Sequence, residues 1–267
     1  MNFLHIFHPQ AIAFNIGPLT VRWYGLFIVL GILAGFFIAL YLAKKKQVDT
    51  DHFYNLFFYF IIFGLVAGRF AHVLSEWAYY KDHLADVYKI WQGGTAFFGV
   101  LIGCLLTLII YCKIKKISFW LLSDILAVAA PLAQAIGRWG NYFNQEIVGQ
   151  PTNLAWGLPI DFGKRPIGYE AYQYFHPVFL YESMADIIIF IILFFFISRK
   201  KYFKQGDTIL IYFILYSLAR FSFDFLRAEA VNIGPLVWTQ WVSIILIVVS
   251  LVILIWRRRS SSQQSFS

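Results

Sequence analysis

Charged residues are scarce in this chain, and their scarcity excludes a soluble protein. Only 13% of the 267 residues are Asp, Glu, Lys or Arg, whereas 60% are hydrophobic and the mean hydropathy is +0.67. A soluble domain has no interior large enough to bury that much apolar surface. The composition therefore indicates an integral membrane protein.

Cysteine is almost absent, which excludes a disulfide framework. The two cysteines, Cys104 and Cys112, lie in one apolar run more than a helical turn apart, so they are expected to be small core residues. The histidines are dispersed and predict no metal site. The motifs of a serine elbow, a zinc protease, a redox pair and a phosphate loop are missing as well. If the protein is an enzyme, its nucleophile is expected to arrive with a second substrate, and no cofactor is implied.

Lysine and arginine are missing from the first 20 residues, so a cleaved signal peptide is not expected. Seven apolar runs are about long enough to cross a membrane, which takes about 20 helical residues. They cover 21–43, 53–76, 94–112, 119–137, 177–198, 208–226 and 237–256. We predict an all-α integral membrane protein with a single polytopic domain over 1–267. Pro131 is expected to break the end of the fourth span, 77–92 to be an aromatic interfacial segment, and 147–175 to form a small extracytoplasmic head.

The basic residues predict the orientation of these spans. Thirteen of the 22 Lys and Arg residues fall on one side, in alternate connections and at the C-terminus. They are Lys44–Lys46, Lys113, Lys115, Lys116, Arg199, Lys200, Lys201, Lys204 and Arg257–Arg259. That side should be cytoplasmic and the N-terminus outside. The net charge of +8 is then a topology signal and gives no support for binding nucleic acid.

Ionisable residues of four spans fall at one depth, near the outer leaflet. Arg69, His72 and Glu76 share one face of the second span, and Arg138 ends the fourth. Glu182 and Asp186 begin the fifth span. In the sixth, Tyr216, Arg220, Asp224 and Arg227 lie within about 80° of arc on one helical face. A polar cavity open to the outer leaflet would explain this pattern. The alternative is a set of structural ion pairs between helices, such as Arg220 with Asp224 or Glu182.

The stretch Gly137–Glu146 places an arginine, two asparagines and a glutamate where an apolar run ends. Its glycines are expected to let the backbone turn and approach something bulky. One interpretation is an interfacial cap in which Arg138 reaches lipid headgroups. The other is an anion site, because a guanidinium group binds phosphate oxygens in pairs and stays charged. The nearest abundant phosphate is that of a phospholipid.

This stretch resembles the signature of the bacterial prolipoprotein diacylglyceryl transferases, approximately G-R-x-G-N-[FY]-x-N-x-E. The matching residues are Gly137, Arg138, Gly140, Asn141, Tyr142, Asn144 and Glu146. Further matches follow in order along the chain: Ile16-Gly17-Pro18, Arg22-Trp23-Tyr24-Gly25, Gly68-Arg69, Gly93-Gly94, His176-Pro177, Leu180-Tyr181-Glu182, Tyr216 and Arg220. The predicted seven helices with an outer N-terminus are also similar to that family.

The resemblance implies a reaction in the bacterial inner membrane. A diacylglyceryl group would pass from phosphatidylglycerol to the thiol of the lipobox cysteine in a preprolipoprotein signal peptide, releasing glycerol phosphate. The expected partners are therefore this peptide and membrane lipid. Both the attacking thiol and the leaving group need assistance from the protein, because a thiol is mostly protonated at neutral pH and the departing phosphate gains negative charge.

The resemblance also implies roles for residues of this sequence. Arg138, Asn141, Asn144 and Glu146 should hold the headgroup, and Arg220 should stabilise the leaving phosphate. Tyr24, Tyr216 and Asp224 should lie at the reacting centre. Arg69, His176 and Glu182 complete the expected substrate-binding set.

The sequence departs from the family where a base is expected. Phe98 stands where the family often has His or Tyr, and phenylalanine cannot accept a proton. His72, His176 and Asp224 remain candidate bases, or a positive cavity alone lowers the thiol pKa. Val178-Phe179 replaces a polar pair after His-Pro. Two other functions stay open: an anion transporter using the same arginines, and a relative that binds phospholipid without turnover.

Overall fold

A computed structural model describes residues 3–17, 19–198, 203–228 and 232–263. These residues contain seven long helices: α2 (Trp23–Lys45), α3 (Asp51–Ser75), α5 (Phe97–Lys115), α6 (Phe119–Asn144), α7 (Val178–Ser198), α8 (Asp207–Asp224) and α9 (Trp238–Gln263). A short helix α1 (Phe3–Ile6) precedes α2, and another, α4 (Trp77–Tyr80), lies between α3 and α5. The helical membrane architecture predicted from the sequence is therefore confirmed.

Six of these helices, all but α8, are long and apolar enough to cross a membrane, judged over the described residues. The helix α8 has 18 residues and carries Asp207, Arg220 and Asp224. Of the basic residues that predict the cytoplasmic side, Arg199, Lys200 and Lys201 lie outside the described residues. Pro18, part of a family match near the N-terminus, also lies outside them.

The fourth predicted span ends seven residues later than expected, and its proline does not break it. The helix α6 runs without interruption from Phe119 to Asn144 with Pro131 inside it. The prediction of a turn at Gly137 and Gly140 is therefore wrong, because both glycines are helical. If the helix broke at the proline in an apolar environment, more backbone groups would lose their hydrogen bonds and no water would replace them. A helix therefore continues past a proline there more readily than in a soluble protein.

The chain divides into two compact units, one formed by 1–38 with 123–267 and the other by 39–122. In the second unit, α3 and α5 pack through two pairs of glycines spaced by four, Gly64 and Gly68 against Gly99 and Gly103. A methyl group on Gly99 would lie 2.6 Å from Ala71 Cβ, and one on Gly103 would lie 2.6 Å from Ala67 Cβ. Small residues at this spacing let helix backbones approach closely in membranes.

Three two-stranded antiparallel ribbons connect the helices of the first unit. They are β1 (Ile12–Ile16) with β2 (Leu19–Arg22), β3 (Leu158–Pro159) with β4 (Tyr174–Phe175), and β5 (Asn232–Ile233) with β6 (Leu236–Val237). The second ribbon lies in segment 147–175, which otherwise has one short 3-10 turn, Phe162–Lys164. Its prolines explain why no long helix forms there.

The head segment is attached to the end of α6 by an apolar cluster. Tyr142, Phe175 and Phe179 are almost fully buried and pack with Val148, Leu158 and Ile160. Gln145 adds polar contacts, since its amide donates to Asp161 Oδ2 at 2.7 Å and to Pro9 O at 3.1 Å. These contacts fix the signature stretch relative to both the head and the N-terminal segment.

Candidate active site

A buried carboxylate at the start of α7 gathers three arginines from different parts of the first unit. Glu182 Oε2 lies 2.9 Å from Arg138 Nε of α6. Its Oε1 accepts from Arg220 Nη1 at 3.1 Å and from Arg227 Nη2 at 2.6 Å. The Glu182 side chain is only 4% exposed. Three positive charges thus converge on one carboxylate away from bulk water.

A second carboxylate, that of Asp224, pairs with two of the same arginines. Asp224 Oδ1 lies 3.2 Å from Arg220 Nη2 and 3.6 Å from Arg227 Nε. Its Oδ2 accepts a hydrogen bond of 2.5 Å from Thr239 Oγ1 of α9. Burial lowers the pKa of Arg227, although Glu182 opposes this effect by favouring the charged form. Arginine has so high a pKa that the group stays positive.

A small cavity of about 10 Å³, roughly the room that one water molecule needs, lies beside this ion-pair cluster and is partly open to solvent. It is lined by Arg138 of α6, Glu182, Ala185 and Asp186 of α7, and Tyr216, Ala219, Arg220 and Phe223 of α8. Asp186 Oδ2 lies 4.0 Å from Arg138 Nε. The cavity therefore has two guanidinium groups, two carboxyl groups and a phenol in its wall.

The cluster contains both arrangements that the sequence left open. Arg220 pairs with Glu182 and Asp224, as the structural alternative predicted. Arg138 and Arg220 also line one cavity, as the binding-site interpretation predicted. Arg138 Nε and Glu182 Oε2 are close but neither takes part in a hydrogen bond among the described residues. Their contact is a charge pair, which leaves hydrogen-bonding capacity for an anion.

The polar residues of the signature stretch form a second cluster at the C-terminal end of α6. Asn144 Nδ2 donates to Glu146 Oε1 at 3.0 Å, and Asn141 Nδ2 lies 3.3 Å from Glu146 Oε2. The chain reverses here through Gln145 and Ile147, which both have positive φ angles, 56° and 57°. The structure thus brings the three predicted headgroup ligands together at the last turn of α6 and just beyond it, not inside a glycine turn.

Tyr24 lies against this end of α6 because Gly140 has no side chain. A methyl group on Gly140 would lie 3.0 Å from Tyr24 Cδ2 and 3.2 Å from Tyr24 Cα. Tyr24 is 37% exposed, so its ring is reachable from outside the protein. The glycine of the signature therefore serves close approach between α2 and α6.

Two other predicted site residues, His176 and Arg69, have local partners. His176 Nδ1 lies 3.5 Å from the hydroxyl of Tyr181, which also accepts from Trp156 Nε1 at 3.0 Å. In the second unit, Arg69 is 6% exposed and donates to four backbone carbonyls at 2.6–2.8 Å. These carbonyls belong to Asp86, Val87, Gly93 and Gly94. Their assignment to substrate binding stays a prediction.

Comparison with known proteins decides the family. A family model described as prolipoprotein diacylglyceryl transferase matches residues 11–256. Proteins named phosphatidylglycerol--prolipoprotein diacylglyceryl transferase are similar over most of the chain. The protein of Trichormus variabilis is 41% identical, covering 93% of this chain and 89% of the relative. The chain belongs to the prolipoprotein diacylglyceryl transferase family. The protein of Ligilactobacillus salivarius is 36% identical, covering 97% of this chain and 96% of the relative. That of Thermotoga maritima is 41% identical, covering 88% of this chain and 80% of the relative.

The resemblance seen in the sequence is thus confirmed, and the structure accounts for one departure of this transferase from its family's pattern. Val178 and Phe179 replace the polar pair after His-Pro and are 1% and 2% exposed. Phe179 stacks on Tyr142 with ring centroids 4.7 Å apart. Apolar residues therefore join α7 to the signature stretch here. Phe98 is the second residue of α5 in the second unit and is 54% exposed. Its phenyl ring cannot accept a proton.

Two residues of the cluster were not among the site residues predicted for this transferase, Arg227 and Asp186. Both were visible in the sequence as members of polar helical faces. Arg227 lies beyond the end of α8, where its contact with Glu182 depends on the turn that follows the helix. Asp186 was indicated by its spacing of four from Glu182, but no motif marks it.

Proposed function

We propose that this protein transfers the diacylglyceryl group of phosphatidylglycerol to the thiol of a lipobox cysteine in preprolipoproteins. The thiol sulfur forms a bond to the glyceryl carbon that carries the phosphate ester, and the bond from that carbon to the ester oxygen breaks. Glycerol phosphate leaves with the electron pair of that bond, and the thiol proton is released. The product is a thioether, and the reaction is the first step of bacterial lipoprotein maturation.

The observation that carries this proposal is the convergence of Arg138 and Arg220, from separate helices, on one carboxylate beside a cavity. The relatives' names support the two substrates. A leaving phosphate gains negative charge as the ester bond breaks, and guanidinium groups fixed in a site of low dielectric constant stabilise that charge. Since Glu182 and Asp224 hold these groups in place, little reorganisation is needed when the phosphate arrives.

The other residues take roles suited to their positions. Asn141, Asn144 and Glu146 orient the glycerol of the headgroup with amide and carboxylate hydrogen bonds. Tyr24 and Tyr216 lie at the reacting centre. Asp224 acts there by fixing Arg220, while Glu182, His176 and Arg69 complete the substrate-binding set. These assignments come from the family resemblance, and the proximity of the first five groups to the arginine cluster or to α6 supports them.

We further propose that α8 is a seventh span, that the N-terminus lies outside, and that the protein is in the bacterial inner membrane. A helix of 18 residues is about 27 Å long, close to the hydrocarbon thickness of about 30 Å. Its charged residues need partners at that depth, and Arg220 and Asp224 have them. Segment 147–175 is then an extracytoplasmic head within a single membrane domain.

The proposal is tested by incubating the purified protein with phosphatidylglycerol and a peptide that contains a lipobox cysteine. The expected result is a peptide heavier by one diacylglyceryl group, with glycerol phosphate released in equal amount. Binding of phosphatidylglycerol without any transfer would contradict the enzymatic proposal. Movement of an anionic solute across reconstituted vesicles, again without transfer, would favour a transporter.

Arg138→Ala and Arg220→Ala test the role of the arginines. Each should lower the transfer rate by about 100-fold to 1,000-fold, because each removes a preorganised donor from the departing phosphate. The matched control is Lys115→Ala, which removes an exposed positive charge from the C-terminal end of α5 and should leave the rate unchanged. Full activity in a folded arginine variant would refute the role given to that arginine.

A further inference from the structure

The carboxyl group of Asp186 is buried beside the active-site cavity, and one of its oxygens, Oδ2, has no hydrogen-bonding partner among the described residues. The residue is 3% exposed, and its Oδ2 accepts no hydrogen bond from the described part of the chain. The nearest cation is Arg138, whose Nε is 4.0 Å away and 2.9 Å from Glu182. Burying a polar group without a partner is costly, so its presence beside a cavity indicates a function.

The two neighbouring carboxylates, Glu182 and Asp224, accept hydrogen bonds, whereas Asp186 Oδ2 accepts none among the described residues. Glu182 Oε1 accepts hydrogen bonds from two guanidinium groups. Asp224 lies between Arg220, Arg227 and the hydroxyl of Thr239. Both carboxylates thus have arginine nitrogens at 2.6–3.6 Å, whereas the nearest arginine nitrogen to Asp186 Oδ2 is 4.0 Å away. Asp186 lines the same cavity and has an oxygen atom available.

We propose that Asp186 is the proton acceptor for the incoming cysteine thiol. This inference rests on the proposed function and supplies the base that Phe98 does not provide. The thiol proton passes to Asp186 Oδ2 as the sulfur bonds to the glyceryl carbon. The ester bond breaks, and its electron pair leaves on glycerol phosphate. The proton then moves from Asp186 through water to the released phosphate, whose second ionisation lies near neutrality, and the carboxylate is regenerated.

Several charged or titratable groups face Asp186 from the helices packed around it. They are Arg138 of α6, Glu182 of α7, and Tyr212, Tyr216 and Arg220 of α8. The two arginines favour loss of the proton from a nearby thiol, while Asp186 gives that proton a destination inside the cavity. The hydroxyl of Tyr212 has another partner, since it donates a hydrogen bond to Gln134 Oε1 at 3.1 Å.

The test compares wild type, Asp186→Asn and Asp186→Glu in the transfer assay, with the rate measured over a range of pH. Asparagine keeps the shape of aspartate, but its amide accepts no proton near neutral pH. Asp186→Asn should lower kcat by about 100-fold or more near neutrality, which is typical of losing a general base, with an unchanged KM for phosphatidylglycerol. The deficit should shrink as the pH approaches the ordinary thiol pKa of about 8.5, where the peptide ionises by itself. Asp186→Glu should recover part of the rate.

The stability of Asp186→Asn separates a catalytic role from a structural one. If Asp186 were mainly a structural partner of Arg138, asparagine would lower the unfolding temperature. If it is retained for catalysis, removing a buried charge without a hydrogen bond should leave that temperature equal or raise it. The matched control is Asp82→Asn, which removes an acid with a 70% exposed side chain and should change neither rate nor stability.

Three results would overturn the assignment of Asp186. They are a rate of Asp186→Asn within about threefold of wild type, a deficit that stays constant as the pH rises, and a rise in KM with kcat unchanged. Absence of transfer by wild type would instead refute the proposed function itself. The wild-type reaction thus distinguishes failure of this inference from failure of the function on which it rests.

Discussion

At the scale of single residues, the two glycines of the signature stretch have different surroundings. A methyl group on Gly140 would meet both the ring and the backbone of Tyr24, at 3.0 and 3.2 Å, and backbone cannot move aside cheaply. On Gly137 the nearest atom would be Ile28 Cδ1 at 3.7 Å, an ordinary contact. The same substitution at two positions of one helix therefore isolates the effect of the contact with Tyr24.

Gly140→Ala should destabilise the protein and lower its transfer rate, because α2 must shift and carry Tyr24 away. Gly137→Ala is the control and should be neutral or stabilising by about 0.5–1 kcal/mol, since alanine is the better helix former. Thermal unfolding in detergent and the transfer assay measure both effects. Equal unfolding temperatures for the two variants would show that the contact at Gly140 is not tight.

At this scale the sequence predicts which charged residues need partners, but it does not predict which contacts they make. Arg138, Arg220 and Glu182 could be predicted because a charged residue in an apolar span needs a partner. That three arginines share Glu182 could not, because the contact joins residues as distant in sequence as Arg138 and Arg227. The glycines were wrongly expected to turn the chain, since glycine allows a turn and a close approach equally.

At the scale of elements, the N-terminus of α8 is capped by a residue of another helix. The residue before it, Gly206, has no side chain and a φ of 93°. Asp124 of α6 replaces the missing cap, since its oxygens accept from Gly206 N at 2.6 Å and Ile209 N at 3.0 Å. An acid is favourable at a helix N-terminus, and this one also fixes α8 against α6. Arg138 and Arg220 lie on these same two helices.

Asp124→Ala should lower the free energy of unfolding by about 1–3 kcal/mol, because it leaves buried backbone donors without acceptors. Asp124→Asn keeps one acceptor oxygen and should recover part of the loss. The adjacent Ser123→Ala is the matched control and should cost little, since Ser123 Oγ is buried without a hydrogen bond among the described residues. Thermal unfolding measures all three variants. An Asp124→Ala protein as stable as Ser123→Ala would contradict the capping role.

The approximate positions of the long helices could be predicted from apolar runs alone. Most bounds agree within a few residues, as in α7, predicted at 177–198 and found at Val178–Ser198. The exceptions are α6 and α9, each of which ends seven residues later than predicted. In α6, the polar residues after Gly137 suggested the end of a helix. The last turn of α6 is instead stabilised by packing of Tyr142 with Phe175 of the head and Phe179 of α7, which hydropathy does not reveal.

At the scale of the whole molecule, the charge pattern predicts which ends of the helices face the cytoplasm. Within the first unit, Lys204 precedes α8 on the predicted inner side, whereas the head carries Ile167 on the predicted outer side. Both side chains are exposed, Ile167 to 95%. If Lys and Arg set the orientation, these two positions lie on opposite faces of the membrane.

Single cysteines at these positions test the orientation. In a protein whose native cysteines are replaced by Cys104→Ala and Cys112→Ala, Ile167→Cys should react in intact spheroplasts with a thiol reagent that cannot cross membranes. Lys204→Cys should react only after the membrane is opened, because the charged reagent cannot pass the apolar bilayer. Retained transfer activity in both variants shows that the labelled proteins are native. Labelling of Lys204→Cys in sealed cells would place α8 and its arginine differently, and the active site would then face the wrong leaflet for an exported substrate.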